Sequence, residues 1–341
     1  MDRYSRQTLF APLGLQGQER LRSARALVVG CGALGTHSAE LLARAGIGAI
    51  RLVDRDFVEW TNLHRQGGFE ESHARDRTPK AEALASWLRR INSEVEVDSH
   101  VADFNFTNAL ELADGTSVIL DGTDNLPARF LLNDVSYRLE VPWVYAGAVG
   151  SSAHVQLFSG RKGPCLRCQL PDLPPAGTIA TCDTSGVIGP AAALAGAWQA
   201  ALALRAVSGG GIEEIASQKA IFDPWTAVAR VVRVERDPAC PVCAKGRFEA
   251  LEGEHAERAT LLCGRSAVQV LPSAADCGPF DPGRAALRVA QLGEVENLGG
   301  IVRVRSNEGY TLTLFEDGRA IFDGLTDPVR ARNLYARFVG Q

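Results

Sequence analysis

The first two thirds of the chain alternate between short apolar runs and longer amphipathic stretches. Apolar residues 27–29 end in a glycine-rich turn, a helical pattern follows to about residue 44, and a second apolar run covers residues 50–54. A strand, a glycine turn, a helix and a second strand in this order are typical of a βαβ unit with parallel strands. The alternation predicts an α/β fold with a Rossmann-like, mostly parallel sheet and flanking helices.

The same periodicity predicts the remaining elements of this region. Helices are predicted at residues 7–24, 79–91, 108–112, 125–139 and 186–208, and strands at 95–97, 118–121, 143–146, 153–158, 220–222 and 228–234. Segments 55–78 and 159–185 are predicted to be loops. The apolar run 187–207 contains Gly, Pro, Gln and Arg, so it is interpreted as a buried helix rather than a membrane span.

A smaller pattern follows a charged segment at residues 245–255, which is interpreted as a linker. Strands are predicted at 267–270, 301–305, 310–315 and 320–322, and helices at 281–292 and 327–338. The pair Asp317-Gly318 indicates a hairpin turn, and Asp327 is suited to capping the last helix. The sequence therefore predicts one α/β domain at residues 1–248 and a small α+β domain at residues 249–341.

Composition and charge narrow the classes of function. The 341 residues are 46% hydrophobic and 22% charged, with a formal net charge of −4. This balance favours neither nucleic acid nor an anionic membrane surface as a partner. The first ten residues contain no apolar signal core, so a cytoplasmic location is expected.

A glycine pattern after the first strand indicates a nucleotide site. Gly30, Gly32 and Gly35 have the spacing G-x-G-x-x-G and open a helix, whose positive end favours phosphate. Asp54 ends the next strand, where a carboxylate can hold a ribose hydroxyl. Alone, this pattern also fits an NAD-dependent Rossmann oxidoreductase, or a glycine-rich turn without a ligand.

Charged residues further along favour a triphosphate over a dinucleotide. Arg65 and Lys80 are suited to neutralising phosphate charge, although a solvated surface would explain either cation alone. Asp121 and Asp124 follow a predicted strand at the sheet edge where α/β proteins bind ligands. Asp124 is a candidate Mg²⁺ ligand, and the alternative is that it caps the helix beginning near Asn125.

Four of the eight cysteines form two C-x-x-C pairs, Cys165/Cys168 and Cys240/Cys243. Four thiolates suit a tetrahedral Zn²⁺ with no open position, which indicates a structural site. A redox pair is the alternative, but the sequence has no thioredoxin-like context around either pair.

As a set, these blocks resemble the ThiF/MoeB/HesA family, the bacterial relatives of ubiquitin-activating enzymes. The resemblance covers about residues 3–245 and rests on Arg3-Tyr-Ser-Arg-Gln7, Gly30-Cys-Gly-Ala-Leu-Gly35, Asp54-x-Asp56, Asn62-Leu-His-Arg-Gln66, Thr78-Pro-Lys80, Asp121-Gly-Thr-Asp-Asn125, Thr181-Cys182 and the two cysteine pairs. It implies an adenylyltransferase that uses ATP and Mg²⁺ to adenylate the C-terminal Gly carboxylate of a ubiquitin-like sulfur-carrier protein, with release of pyrophosphate.

The resemblance also assigns roles to individual residues. The implied ATP site consists of Gly30, Gly32, Gly35, Asp54, Asp56, Asn62, Arg65, Gln66, Lys80 and Asp121, with Asp124 holding Mg²⁺. Arg6 matches the family arginine that enters the ATP site of the neighbouring subunit, which implies a homodimer. The sequence departs from many relatives at residues 76–78, before Pro79 and Lys80.

Further partners follow from the implied chemistry. The carrier would end in Gly-Gly, and its tail would enter under the 159–185 loop. No rhodanese-like module follows the second cysteine pair, so a cysteine desulfurase or sulfurtransferase is expected to supply sulfur. The resulting thiocarboxylate would serve thiamin, molybdopterin or tRNA thiolation pathways, with a slight preference for thiamin.

Cys182 and the overall function each leave alternatives open. Cys182 precedes a predicted helix, whose N-terminus favours a thiolate, but Asp183 opposes it, so a covalent intermediate and an inert loop cysteine are both compatible with the sequence.

A nicotinamide-dependent oxidoreductase is disfavoured by Arg65, Lys80 and Asp124. A non-catalytic binder of a ubiquitin-like protein is disfavoured by the intact set of ATP residues.

Overall fold

The computed structural model describes residues 3–174, 182–254, 259–262, 266–272, 282–298 and 301–339. The chain divides into two compact units, Met1–His255 and Ala256–Gln341. The sequence predicted this division between residues 248 and 249. Each unit has its own hydrophobic core.

The first unit alternates helices and strands along the chain, as the hydrophobic pattern predicts. Its elements are α1 (Ser5–Thr8), α2 (Gly14–Ser23), β1 (Arg25–Val29), α3 (Gly35–Ala45), β2 (Ala49–Val53), α4 (Glu71–Asp76), α5 (Lys80–Ile91), β3 (Glu96–His100), α6 (Ala109–Ala113), β4 (Val118–Asp121), α7 (Leu126–Leu139), β5 (Trp143–Val149), β6 (Ser152–Phe158), α8 (Leu166–Gln169), α9 (Cys182–Ser185), α10 (Gly189–Ser208), β7 (Gln218–Asp223) and β8 (Val228–Arg233).

These eight strands form one sheet in the order β3-β2-β1-β4-β5-β6-β7-β8. The first five are parallel to one another, and β6, β7 and β8 continue the sheet in antiparallel fashion. The strand order reverses at β1, so β1 and β4 flank the switch point where α/β folds bind ligands. The predicted Rossmann-like, mostly parallel α/β sheet is thus confirmed.

Both faces of the parallel part of the sheet are buried, whereas the edge strand β8 is exposed along its length. Alternate residues of β1 point to opposite sides, with Val28 in the core under α3, α5 and α10 and Leu27 in the core under α6 and α7. The helix α10 is long and apolar enough to cross a membrane by length and composition alone. In this fold it packs on the sheet, where Gln199 Nε2 donates hydrogen bonds to the carbonyl oxygens of Asp121 (2.9 Å) and Val144 (2.8 Å).

The second unit is an antiparallel sheet with two helices. Its elements are β9 (Ala259–Leu262), β10 (Ala267–Val270), α11 (Pro282–Val289), β11 (Gly293–Asn297), β12 (Val302–Ser306), β13 (Thr311–Leu314), β14 (Ala320–Asp323) and α12 (Pro328–Phe338). The strand order is β11-β12-β13-β14-β10-β9. The predicted α+β module is therefore confirmed, although the sequence did not predict β9 and β11.

Three segments of the first unit differ from the prediction, one of which is the predicted loop 159–185, where the short helices α8 and α9 form. The helix predicted at residues 7–24 is two helices, α1 and α2, separated by a turn that contains Pro12 and Gly14 with a φ of 59°. Proline lacks a backbone donor and glycine tolerates positive φ, so this pair interrupts the helix despite its amphipathic pattern. Within the predicted loop 55–78, α4 forms and ends at Arg77, which adopts a left-handed conformation.

Candidate active site

The glycine-rich turn brings the backbones of β1 and β4 into close approach at the switch point. A Cβ atom on Gly30 would lie 2.5 Å from the Gly122 oxygen, and one on Gly35 would lie 1.9 Å from the Gly30 oxygen. Gly30 also has a φ of 90°. Both glycines are therefore required by the fold of the chain itself, because any side chain would displace backbone.

Gly32 has a different explanation. A Cβ atom there would make only ordinary contacts, 3.8 Å from Gln66 Nε2 and 3.9 Å from the Gly122 oxygen, so packing does not require a glycine. The Oε1 atom of Gln66 is buried and accepts no hydrogen bond from the residues that the structure describes. An open backbone surface beside an unpaired buried acceptor fits a nucleotide bound against Gly32.

Asp54 holds the turn in place. Its Oδ2 accepts a hydrogen bond from the Cys31 N–H at 2.6 Å, and its Oδ1 accepts one from the Asp56 N–H at 2.7 Å. Burial raises the pKa of Asp54, while the positive charge of Lys80 opposes this shift. Each carboxylate oxygen can accept a second hydrogen bond, so Asp54 can also hold a ribose hydroxyl, as predicted.

Lys80 supplies positive charge beside this turn. Its Nζ lies 3.6 Å from Asp56 Oδ2, and its side chain is only 11% exposed. Burial alone would lower the pKa of Lys80, but the charges of Asp56, Asp54 and Asp124 raise it above its usual value. The ammonium group is therefore a permanent cation, placed by the first turn of α5 where phosphate charge can be neutralised.

Asp124 is not the helix cap. Asn125 caps α7 instead, because its Oδ1 accepts the Ala128 N–H at 2.9 Å. Asp124 is exposed and makes no hydrogen bond with any described residue. Its charge is close enough to raise the pKa values of Lys80 and Arg129. The capping alternative is thus wrong, and the carboxylate is available to a hard cation such as Mg²⁺.

Asn62 and Arg65 lie in the segment that also carries Gln66. The buried Asn62 side chain accepts a hydrogen bond from the Glu59 N–H at 2.9 Å and so stabilises a 3₁₀ turn, Trp60–Asn62. Arg65 is partly exposed, and its guanidinium donates to the carbonyl oxygen of Thr61. No described contact joins Arg65 to Lys80 or Asp124, and its role at a phosphate stays a prediction.

The two C-x-x-C pairs come together at one point. Their four Sγ atoms lie within 4.8 Å of one another, with Cys165–Cys240 at 3.5 Å, Cys168–Cys243 at 3.4 Å and Cys165–Cys168 at 4.0 Å. Tetrahedral Zn–S bonds of about 2.3 Å place sulfur atoms about 3.8 Å apart. The spacing therefore fits a structural Zn²⁺. The metal would join the segment 159–185, called the crossover segment below, to the end of the first unit.

Comparison with known families decides the assignment. The ThiF family matches residues 4–242 of the chain. The chain belongs to the ThiF family. This membership confirms the resemblance found in the sequence.

Two similar proteins and one solved structure bear on this chain. The chain is 39% identical over 340 residues to the sulfur carrier protein ThiS adenylyltransferase of Bacillus subtilis, covering 99% of both chains. It is 36% identical over 248 residues to the sulfur carrier protein adenylyltransferase of Thermus thermophilus, covering 71% of this chain and 90% of the relative. A crystal structure of E. coli MccB with succinimide superposes with a TM-score of 0.63 at 24% identity, covering 71% and 73% of the two chains, and shows the shared fold.

Asp121 is placed differently from the other predicted ATP-site residues of this ThiF-family chain. It is fully buried, and its Oδ1 accepts hydrogen bonds from the Thr123 N–H (2.8 Å) and hydroxyl (2.7 Å). Its Oδ2 pairs with Arg129 Nε at 3.1 Å. These contacts indicate that Asp121 shapes the site by fixing Arg129 and the Thr123 turn rather than by reaching a nucleotide.

Arg129 is a residue that the sequence analysis missed. Its Nη2 donates hydrogen bonds to the Thr123 carbonyl (2.7 Å) and the Ala146 carbonyl (3.1 Å), so it links α7, β5 and the segment after β4. The only signal in the sequence is a basic residue next to Phe130 at the start of an apolar helix face, which is equally typical of a solvated arginine.

Two further predicted residues lie on short helices, Arg6 on α1 and Cys182 on α9. Arg6 is exposed on α1, whose neighbouring residue Gln7 donates a hydrogen bond to the Ala45 carbonyl at 2.9 Å. Cys182 begins α9, and its side chain lies outside the described residues, as do residues 175–181 of the predicted carrier-entry loop. Cys31 is fully buried, which raises its pKa well above the usual value and makes it an unreactive thiol.

Proposed function

We propose that this ThiF-family protein adenylates the C-terminal Gly carboxylate of a ubiquitin-like sulfur-carrier protein, consuming ATP and releasing pyrophosphate. The main structural support is Asp124, which does not cap α7 and whose charge raises the pKa of Lys80, together with the open backbone at Gly32. A metal-binding carboxylate next to a buried cation suits a triphosphate, whereas hydride transfer from a nicotinamide needs neither. The relative from Bacillus subtilis, which matches along its whole length, bears the name of this activity.

Different residues of the site contribute to different parts of the reaction. Asp54 holds the turn and the ribose, and the backbone at Gly32 lies against the phosphates. A carboxylate oxygen of the carrier attacks the α-phosphorus, the bond to the β-phosphate oxygen breaks, and pyrophosphate leaves with the electron pair. Lys80 stabilises the charge that develops on the phosphates, and Asp124 would hold Mg²⁺, which would neutralise part of that charge. The carboxylate is already ionised, so the site needs no general base.

The wider setting extends the same proposal. The acyl-adenylate would next react with a persulfide of a cysteine desulfurase or sulfurtransferase. The terminal persulfide sulfur attacks the acyl carbon and AMP leaves, and a thiol then reduces the resulting acyl disulfide to the thiocarboxylate. Among the pathways that use such thiocarboxylates, the full-length similarity to a ThiS adenylyltransferase supports thiamin biosynthesis. Four cysteine thiolates would hold a structural Zn²⁺. A cytoplasmic location stays a prediction.

The proposal predicts carrier-dependent ATP–pyrophosphate exchange. With Mg²⁺, ATP and labelled pyrophosphate, exchange should require a carrier that ends in Gly-Gly, because reversal of adenylation forms labelled ATP only from the acyl-adenylate. The same carrier with a C-terminal carboxamide should give no exchange, because it cannot form a mixed anhydride. Exchange that is independent of the carrier would contradict the proposal, and so would NADH binding without exchange.

We further propose that the protein acts as a homodimer in which Arg6 completes the partner's site. Through Gln7, α1 is attached to the C-terminal end of α3, whereas the glycine turn lies at its N-terminal end. An 11-residue helix is about 16 Å long, so α1 is attached at the end of α3 that lies farther from the glycine turn. Exposed apolar residues near Arg6, at Leu9, Phe10 and Leu15, suit a subunit interface.

This arrangement predicts complementation between inactive variants. Arg6→Ala and Asp124→Ala should each lower exchange by about 10²-fold or more, but co-expression should restore about a quarter of wild-type activity, because half of the randomly formed dimers contain one intact site of two. Exchange is measured on the purified mixture, and light scattering gives its mass. A monomer with full activity, or a mixture as inactive as its components, would rule out action in trans.

A further inference from the structure

The face of the sheet opposite α10 carries a row of side chains that the proposed ATP site does not use. Tyr145 on β5, Gln156 on β6, Lys219 on β7 and Val232 on β8 are successive cross-strand neighbours, so their side chains project from the same face. Gln156 is fully buried, Lys219 is partly buried, and Val232 is exposed on the edge strand. The row therefore leads from the interior to the open edge of the sheet.

Two cations meet at the inner end of this row. Arg129 Cζ lies 5.0 Å and Lys219 Nζ lies 5.8 Å from the centre of the Tyr145 ring. Arg129 is paired with Asp121, but Lys219 forms no ion pair with any residue that the structure describes. Burial, together with the charge of Arg129, lowers the pKa of Lys219. A partly buried, unpaired lysine beside a second cation is unfavourable until an anion binds there.

His154 provides an independent sign of a binding groove on the same face. Gly147 and His154 are cross-strand neighbours in β5 and β6. The Nδ1 atom of His154 is buried without a hydrogen-bond partner among the described residues. A Cβ on Gly147 would lie 3.0 Å from Tyr145 Oη and 3.6 Å from Arg129 Nη2, so only a glycine lets these two polar groups lie close against β5. A buried ring nitrogen without a partner, on a face that also carries two cations, suits a polar ligand.

The groove lies next to the proposed adenylation site. Arg129 contacts the Thr123 carbonyl, one residue before Asp124, and the negative charge of Asp124 raises the pKa of Arg129. Gln169 of α8 lies over the row, since its Nε2 donates a hydrogen bond to Gln156 Oε1 at 2.9 Å. Because α8 covers part of this face, the face has little room for large side chains, which suits an extended chain such as a Gly-Gly terminus.

We propose that Lys219 binds the terminal carboxylate of the carrier in this groove and directs it past Arg129 to the adenylation site. This inference rests on the proposed function. The carboxylate must approach an α-phosphate of the same charge, so a cation that is separate from the phosphate-binding Lys80 offsets the repulsion. Lys219 thereby contributes to the choice of substrate, since it favours a chain that ends in a free carboxylate.

The test compares two forms of one carrier, one with the natural terminal carboxylate and one with a carboxamide. Their dissociation constants are measured by calorimetry with a non-hydrolysable ATP analogue present. Lys219→Met should weaken binding of the carboxylate form roughly ten- to a hundredfold and leave the carboxamide form unchanged, because only the former makes a charged hydrogen bond. Lys219→Arg should largely restore affinity. The exposed Lys162→Met, which removes the same charge elsewhere, is the matched control.

Steady-state kinetics of Lys219→Met, together with carrier binding by the wild-type protein, distinguish failure of the role of Lys219 from failure of the proposed function. In the exchange assay, Lys219→Met should raise KM for the carrier and leave KM for ATP unchanged. Equal weakening of both carrier forms, no weakening, or an effect on KM for ATP alone would overturn the role of Lys219 while adenylation still stands. Wild-type protein that neither binds nor adenylates any Gly-Gly carrier would overturn both the proposed function and this inference.

Discussion

Replacing Asp124 by alanine is expected to lower kcat/KM for carrier-dependent exchange by about 10²- to 10³-fold without lowering thermal stability. The carboxylate is exposed, and it accepts no hydrogen bond from the described part of the chain, so its removal breaks nothing in the fold. It does remove the proposed Mg²⁺ ligand beside Lys80. The requirement for Mg²⁺ at half-maximal rate should therefore also rise in Asp124→Asn, whose amide oxygen is a weaker ligand.

The adjacent residue is the matched control. Asn125→Ala removes the cap on the Ala128 N–H, which should cost about 1 kcal/mol of unfolding free energy, or about 2–4 °C in Tm, and leave activity within a few-fold. Calorimetry and the exchange assay on both variants make the comparison. If Asp124→Ala lowers Tm as Asn125→Ala does and retains activity, then Asp124 serves the helix and not the metal.

The features that the sequence predicted well depend on neighbours along the chain. The turn from Gly30 to Gly35 and the position of Asp54 directly after β2 both follow from a strand that ends and a helix that begins within a few residues. Their spacing in the sequence therefore predicts their arrangement in space, and the βαβ pattern determines the edge of the sheet at which they lie. The cysteine pairs were equally predictable, because two C-x-x-C pairs in one chain have few other uses.

The features that it missed depend on contacts between separate elements. Arg129 and Asp121 pair across α7 and β4, and that pair decides whether Asp121 faces a ligand or the interior. Periodicity places both residues on their elements but does not show which side chains meet. The same limit applies to Lys219. Its proposed role depends on its position opposite Gln156, which lies opposite Tyr145 in the next strand. Register is a property of the assembled sheet.

Whether Asp124 or Asn125 caps α7 is a finer example. Both residue types are favoured at an N-cap, so the sequence supports either assignment. The structure selects Asn125 because the backbone is extended at that residue, with a φ of −124° and a ψ of 145°, which directs its side chain to the Ala128 N–H. The position of the cap therefore decides whether Asp124 stabilises the helix or is available to a ligand.

Disrupting the four-cysteine cluster should have the largest effect on stability. Cys165 and Cys240 are 75 residues apart in the chain, and a shared metal closes that loop. By the entropy argument used for cross-links, closing a loop of this length stabilises the folded state by about 4 kcal/mol, in addition to the metal–thiolate bonds. The closed loop contains α10 and the crossover segment, so its loss should loosen the part of the first unit that borders the proposed carrier groove.

Cys240→Ser should therefore lower the zinc content from one ion per chain to nearly none and lower Tm by roughly 10 °C or more. A strong chelator should have the same effect on the wild type, which elemental analysis and calorimetry would show. Cys31→Ala is the control, because Cys31 is a buried thiol outside the cluster and its loss should leave the zinc content unchanged. A wild-type protein that contains no zinc, yet retains its Tm in reductant, would show that packing alone holds the four sulfur atoms together. The crossover segment would then owe its position to contacts such as Leu166 N–H with Asn133 Oδ1 at 2.9 Å rather than to a metal.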